Sequence, residues 1–420
     1  RQKTSQGTYN IAGNGLWLDE EDNLDNDKTF RGNIQSKGAF KLSENWQAGY
    51  EYWWVSDKSF MRRYDINDDD FFTSKAYIRQ TNGRNMVDIR LLDFKTSIFN
   101  IDEDVQPEVA PQIRTEHYFD NLAGGELRVT SDIVSMSRKK GAELNRAVAE
   151  TEWNRQSILK SGQILDYFGG VRGAYFDYVT DSGEQRNKDE ESVLLAHTGI
   201  KWRMPFIKRQ ASGAVIIEPT AQIIIANEET SEGTVPNEDS LSSEFDSLNL
   251  FDVYRHTGYD RFDTGNRFDV GINTVFEGDK GSSYRMFVGK SYRDKALERP
   301  TIGTEQDAKA SDWLLDIGFE QGSALGFNGQ LRFDDDDQKL IRSDGEIYAS
   351  IKKAHFSLHY SHLDASITPD GVEREEARGS FDFSLSENWL LNGHVRYDME
   401  REKRLKNSIQ LIYRDDCTDI

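Results

Sequence analysis

The 420-residue chain has one cysteine, Cys417, seven prolines, and no apolar run long enough to cross a membrane as a helix. Each shortage excludes a class. A lone cysteine rules out an internal disulfide framework and cysteine-based zinc sites. A spanning helix needs about 18 consecutive apolar residues, and the longest candidates are short stretches such as GAVIIEPTAQIIIA. Positive charge is also in deficit: 52 Lys and Arg against 73 Asp and Glu leave a net charge of −21. Nucleic-acid binding needs a cationic face to meet phosphate, so nucleic acid is not an expected partner. Apolar residues make up 36% and charged residues 30%, which is sparse for a deep soluble core. No secretion leader is visible. The chain opens on Arg1 in a polar stretch and reads as a mature or truncated segment.

Conventional catalytic motifs are missing too. There is no G-x-S-x-G, P-loop or H-E-x-x-H, and the GNG at Gly13 to Gly15 lacks the third glycine and following helix of a dinucleotide site. The chain therefore does not read as an enzyme, and no cofactor is expected. His355, His359 and His362 form a tempting cluster, but on a strand the first two share a face and the third takes the other. They fit polar side chains lining a lumen better than a metal site. The acidic runs near Asp68 and at Asp334 to Asp337 lack the glycine and terminal glutamate of a calcium loop and read as solvated hairpin tips. A weaker alternative has them sharing divalent cations with lipid phosphates.

What is abundant is aromatic residues, 48 in all, set in a period of two. Phe30, Gly32, Ile34, Ser36, Gly38, Phe40 and Leu42 share one parity, while Arg31, Asn33, Gln35, Lys37 and Lys41 share the other. This predicts a strand. After Leu-Ser-Glu-Asn, Trp46, Ala48, Tyr50, Tyr52 and Trp54 fall on one face, with Trp53 as an exception on the polar one. The same turn recurs before Trp389, between Phe381, Phe383, Leu385 and Trp389, Leu391, Val395, Tyr397. Further alternating segments run through Phe268 to Phe276, Trp313 to Phe319, Leu325 to Phe333 and Ala354 to Tyr360. Helical periodicity is scarce. The expected fold is an all-β antiparallel meander.

Such a meander is either a soluble sandwich or solenoid, or a membrane barrel. A tilted strand climbs roughly 2.6 Å per residue, so Trp46 to Trp54 and Trp389 to Tyr397 each span about 20 Å, close to the height of a lipid-facing band. Aromatic rings belong at both edges of such a band. Trp46, Trp54, Trp389 and Tyr397 are thus expected in lipid-facing girdles, with each recurring turn on the periplasmic side. A tryptophan after a turn also serves as a staple in a soluble sheet, so that alternative stays open. Long polar inserts such as VTDSGEQRNKDEES fit the long-loop side of a barrel. No linker divides the chain, and residues 1–420 are expected to form one domain of about 20 strands. Arg31, Lys41, Gln330, Arg332, His394 and Arg396 are the expected lumen-lining residues.

One stretch goes beyond a generic barrel. Glu218, Pro219 and Gln222, then Asp239 and Ser240, then Asp246, Asn249, Phe251, Arg255, Gly258, Asp260, Arg261, Gly265 and Arg267 follow an order that resembles the barrel domain of the LptD family of LPS-assembly proteins. APQIRTEHYFDNLAGGELRV, the spacing of Arg146, Trp153, Gly162 and Arg172, the WRMPF at Trp202 to Phe206 and the terminal YRDDCT are similar to that family as well. The resemblance implies a large outer-membrane β-barrel that receives lipopolysaccharide from a periplasmic bridge protein, LptA, and delivers it to the outer leaflet. It implies a plug lipoprotein, LptE, in the lumen and outer-membrane lipids around the barrel. It also implies a periplasmic jelly roll, initial strands and a closing strand, none of which is read here. Cys417 matches a cysteine that pairs with the jelly roll in relatives, so its partner is expected outside this chain. Rival readings are a passive channel or receptor of another family and a soluble calcium-binding β adhesin.

Overall fold

A computed structural model describes residues 2–17, 30–181, 183, 185–228, 235–240, 245–262, 264–295, 309–368 and 370–415. Among them lie 22 strands, a four-residue helix at Phe60–Arg63 and two single turns of 3-10 helix. Successive strands pair antiparallel, from Gly7–Trp17 with Phe30–Lys41 to Trp389–Asp398 with Lys403–Tyr413. The alternation in the sequence is the direct cause, since only a pleated strand sends every second side chain to the same face. Among the described residues no helix is long and apolar enough to span a membrane, which says nothing of crossing by strands.

Contacts group the chain into two units. The first comprises residues 1–155, 169–196 and 229–238, and the second comprises 156–168, 197–228 and 239–420. In the first, the connections after Phe30–Lys41, Phe71–Asn82 and Glu108–Leu122 are tight turns, while those after Trp46–Val55 and Asn85–Thr96 are long. In the second, tight turns follow Arg267–Gly278, Trp313–Gln321, Leu340–Ile351 and Arg374–Ser384, and the connections after Ser282–Arg293, Leu325–Phe333 and Ala354–Leu363, at the opposite strand ends, are longer. Each Leu-Ser-Glu-Asn turn therefore lies at the short-connection end of its own unit. The two are built alike: Leu42 and Leu385 each donate their N–H to the carbonyl of the tryptophan that follows, at 2.9 Å in both.

The apolar stripes are uncovered by protein. In the second unit Leu358 is 53% and Ile409 77% exposed, and Phe356, Val395 and Leu411 are exposed with them. In the first, Ile34 and Tyr52 are exposed on the stripe of Trp46 and Trp54. Contiguous apolar surface of this extent is a lipid-facing property. The fold is that of a membrane β-barrel chain, and the soluble adhesin, whose stripes would meet in a core, falls with this observation.

Trp53, the exception to the alternation, has a local explanation. The segment after Trp46–Val55 turns back over the polar face, and its short helix places buried Phe60 and Met61 against Phe72, with Trp53 packed on that cluster. The turn is clamped by Arg31, whose guanidinium donates to Asp57 Oδ1 at 2.6 Å and Oδ2 at 2.8 Å and to Ser59 Oγ at 2.7 Å. Burial pushes the Asp57 carboxyl up, but hydrogen bonds from Arg31, Ser56 and Ser59 outweigh it and hold the group down to about 2, against a usual 3.8. A depressed carboxylate stabilises fully above its unfolded value and loses that contribution as pH falls through the folded one. Amide protection across residues 56–70, measured against the intrinsic exchange rate at each pH, is expected to fall between about pH 4 and pH 2, in the window set by that shift. Asp57→Asn should exchange fast already at neutral pH, and equal exchange at pH 6 in both proteins would refute the clamp.

Candidate functional site

The long connection between Gly213–Ala226 and Arg267–Gly278 carries most of the residues that set this sequence apart, and in the second unit its residues 245–262 lie on the polar face of the sheet. The register prepares the seat. Gln222 faces Asp269 across one ladder and Ser291 faces Asp269 across the next, so three polar side chains meet on one face. Asp269, fully buried, accepts from Gln222 at 3.0 Å, from Ser291 Oγ at 2.6 Å, from Arg267 Nε at 3.0 Å and from Arg255 at 2.9 Å. Arg255 comes from the insert, and its guanidinium also donates to Leu250 O at 2.6 Å while lying 4.8 Å from the Phe245 ring centroid. Gln222 donates to Phe251 O at 3.1 Å, and Arg267 donates to Asp252 O. One buried carboxylate thus bridges two guanidiniums, whose other protons hold the insert's carbonyls.

An apolar contact completes the seat. Phe245 and Leu250 of the insert pack with Leu314 of the sheet, flanked by Phe251 and Phe287. Leu250 is fully buried, which stabilises by about 1.5–3 kcal/mol. The sheet makes room by omission: a β-carbon on Gly289 would come within 2.4 Å of Leu250 Cδ2, and one on Gly271 within 3.2 Å of Phe251 Cζ.

The insert is folded on itself by the remaining motif residues. Asp246 Oδ1 accepts the N–H groups of Leu248 at 2.8 Å and Asn249 at 3.2 Å, and Asn249 Oδ1 accepts that of Asp246 at 3.1 Å, a closed turn. Asp239 Oδ1 accepts the N–H groups of Tyr259 at 3.0 Å and Asp260 at 3.2 Å; Ser240 Oγ accepts those of Asp260 and Arg261, each at 3.0 Å. Asp260 returns the bond by accepting Asp239 N–H at 3.0 Å. Gly258 is required here: its φ is +72°, and a β-carbon would sit 2.3 Å from the Asp239 carboxylate. Gly265, at φ +77°, donates to Asn227 O at 3.2 Å and closes the insert's exit. Burial pushes the Asp252 carboxyl up, against the pull of Lys201, Arg267 and Arg255. Glu218 and Pro219 lie on the adjoining strand; Pro219, with no N–H to give, falls opposite the break at Met204 and Pro205 and accepts from Met204 N at 3.2 Å. Trp202, beside that break, donates to Gln163 at 2.9 Å.

In the first unit the same chemistry repeats without an insert motif. Arg146 pairs with Asp132 at 2.7 Å, and Arg172 with Glu150 at 3.0 Å, all four buried. Asp88, fully buried, takes Arg90 at 2.9 Å and also Arg79. Trp153 donates to Leu122 O at 2.8 Å. Arg146 and Arg172 were legible from the sequence, whereas Asp88, Asp132 and Glu150 were not. Inward parity next to an arginine on a neighbouring strand was the available signal.

The expected lumen residues divide by environment. Arg31 is buried in its clamp, and Arg332 is buried against Asp312 at 2.8 Å, whose carboxyl burial pushes up against that guanidinium. Gln330 is half-buried opposite Asp316. His394 is 2.8 Å from Ser408 Oγ, and Arg396 makes a two-pronged contact with Glu376 at 2.6 Å on each arm. Lys41 is exposed at its strand end. Of the girdle residues, Trp389 and Tyr397 are exposed and Trp46 and Trp54 half-exposed, with Trp389 5.0 Å from Tyr413. The three histidines do not converge: His355 meets Ser350, His359 meets Asp344 and His362 meets Glu373. At the acidic tip, Asp334 caps the N–H groups of Asp336 and Asp337. Cys417 lies outside the described residues.

Comparison with known proteins places these residues in context. The family described as LPS transport system D, LptD, matches residues 29–389. The chain is 20% identical over 469 residues to the LPS-assembly protein LptD of Mannheimia succiniciproducens, covering 98% of this chain and 57% of that protein. It is 21% identical over 440 residues to the protein of the same name from Acinetobacter baylyi, covering 98% and 52%. The chain spans about half the length of these curated relatives. Among solved structures it is similar to the siderophore receptor PirA from Pseudomonas aeruginosa, at 11% identity over 98% of this chain and 80% of that one, with a TM-score of 0.45.

Proposed function

Because this chain belongs to the LptD family of LPS transport proteins, and so to the outer membrane, we propose that it forms part of the translocon that assembles lipopolysaccharide into the outer leaflet. On this reading lipopolysaccharide arrives from the periplasmic bridge protein LptA, and the lipoprotein LptE plugs the lumen. The polar strand faces, with Lys41, Gln330, His394 and Arg396, line the passage, Arg31 and Arg332 brace it from their buried ion pairs, and the girdle of Trp46, Trp54, Trp389 and Tyr397 meets lipid. The chain performs no covalent step. It supplies a path, and Cys417 pairs with a cysteine elsewhere in the protein.

One observation carries the reading. Within the central motif that resembles the family, Gln222, Arg255 and Arg267 converge on Asp269, while Asp239, Ser240 and Asp246 fold the insert that this carboxylate seats. A motif whose members hold each other is retained as a unit, as a shared architecture requires. Paired guanidiniums on the strand faces also suit phosphate-bearing cargo, since Arg can exchange a carboxylate for a phosphate in the same fork geometry.

Depletion of the protein in its host, followed by surface labelling of lipopolysaccharide, tests the function. Labelling is expected to fall severalfold within a few generations while other outer-membrane proteins persist. Undiminished surface delivery would overturn it.

A further inference from the structure

The strands Leu340–Ile351, Ala354–Leu363, Arg374–Ser384, Trp389–Asp398 and Lys403–Tyr413 carry, on their apolar side, an open groove of about 810 Å³. Its floor is formed where bulk is missing. Gly379 and Gly393 lie between Leu358, Val395 and Ile409, and all five share the lipid-facing parity. The flanking side chains stand as walls, so the sheet surface is dented where a lipid-facing strand is ordinarily smooth. Volumes of this size accept a ligand segment rather than a single side chain.

The groove has a charged end. Ile409, Leu411 and Tyr413 set the outward parity of the last strand as odd, which would turn Arg404 inward. The register slips between Arg396 and Tyr397, however, so that Arg404 pairs with Tyr397 and returns to the apolar face. A one-residue bulge is the device that re-aims a side chain in this way. No ion pair holds Arg404 among the described residues, unlike Arg396 on the other face, which Glu376 grips. It lies at the strand ends away from the Leu-Ser-Glu-Asn turn, opposite Tyr397 in the register. An unmatched guanidinium over an apolar trough, at the level where aromatic rings mark the membrane boundary, is complementary to one kind of molecule: an acyl lipid with an anionic headgroup.

We propose that this groove binds a phosphorylated glycolipid of the outer leaflet, one acyl chain lying over Gly379 and Gly393 and a headgroup phosphate taken by Arg404. The proposal rests on the transport reading for its choice of lipid, and it adds a holding site on the outside of the strands, where delivered cargo is retained before it disperses. The bulge is the specific part, because without it Arg404 would face the polar side and the trough would be uncharged.

The test uses the full-length protein purified from outer membranes with its natural partners and placed in nanodiscs of phosphatidylcholine. Bisphosphorylated lipid A, its dephosphorylated form and phosphatidylethanolamine are added in turn, and retained lipid is counted by native mass spectrometry. Wild type is expected to retain bisphosphorylated lipid A about tenfold better than either alternative, the scale of one charge-assisted pair. Arg404→Glu should abolish that preference and Arg404→Lys should keep most of it. Gly379→Leu fills the trough without a backbone clash, since a β-carbon there meets only Val395 Cγ1 at 3.5 Å, and should lower retention of all acylated probes. Equal retention of lipid A by wild type and Arg404→Glu, or a preference for phosphatidylethanolamine, overturns the proposal, as does unaltered retention by Gly379→Leu. The transport reading fails separately: undiminished surface delivery after depletion would remove the cargo role, while an Arg404-dependent preference would still establish the site.

Discussion

Asp269→Ala is expected to cost about 3–5 kcal/mol of stability, because it removes a buried carboxylate that pairs with the two buried guanidiniums of Arg255 and Arg267. The size follows from asymmetry. A buried pair contributes little relative to apolar residues, but removing one partner exposes the full desolvation penalty of the other. Here one carboxylate serves two cations and two neutral donors, Gln222 and Ser291, so four side chains lose a shared acceptor at once. The insert is held through the same groups. Limited proteolysis within residues 245–262 should therefore appear together with the drop in denaturant midpoint, measured in detergent micelles by tryptophan fluorescence. Asp370→Ala, which removes an exposed ion pair to Arg374, should leave the denaturant midpoint essentially unchanged and is the control. A loss of under about 1 kcal/mol in Asp269→Ala would mean that the insert is not seated by charge.

Gly289→Val is the second large effect. Its β-carbon would meet Leu250 Cδ2 at 2.4 Å and the Phe287 ring at 2.7 Å, so Leu250 must leave its seat. Overpacking of a filled site costs about 1–3 kcal/mol, and expelling a fully buried leucine adds about 1.5–3 kcal/mol. Leu250→Ala alone should cost about 2–4 kcal/mol as a truncation. The double variant distinguishes a specific clash from a general weakening of the strand: the valine then occupies the space the leucine vacated, and the two losses should fall short of additive by about 1 kcal/mol or more. Strict additivity would show that Gly289 serves strand geometry rather than the insert.

The strands were legible because alternation is a property of neighbours along the chain. Phe381 and Phe383, or Trp389 and Leu391, declare their face without reference to any partner. The seat was not legible in the same way. Asp269 and Arg267 read as ordinary polar positions of a strand, and their role depends on Arg255, Ser291 and Gln222, which the register alone brings opposite. The resemblance located Arg255 and Arg267 but not Asp269, the group that unites them. Trp53 broke the pattern for a reason found only in three dimensions, the return of Phe60 and Met61 across the polar face. Arg404 was invisible because a single-residue slip reverses parity from there onward, and no sequence period reports where such a slip occurs.

The seat of the insert has a consequence for the order of assembly. Its donors and acceptors are supplied by Gln222, Asp269, Ser291 and, through Ser247, Asp316. Four separate strands must be aligned before residues 245–262 have anywhere to rest, and closing so long a stretch of chain is slow. The segment that most sharply distinguishes this protein is thus among the last to find its place, and any error in pairing Trp313–Gln321 with its neighbours leaves it adrift.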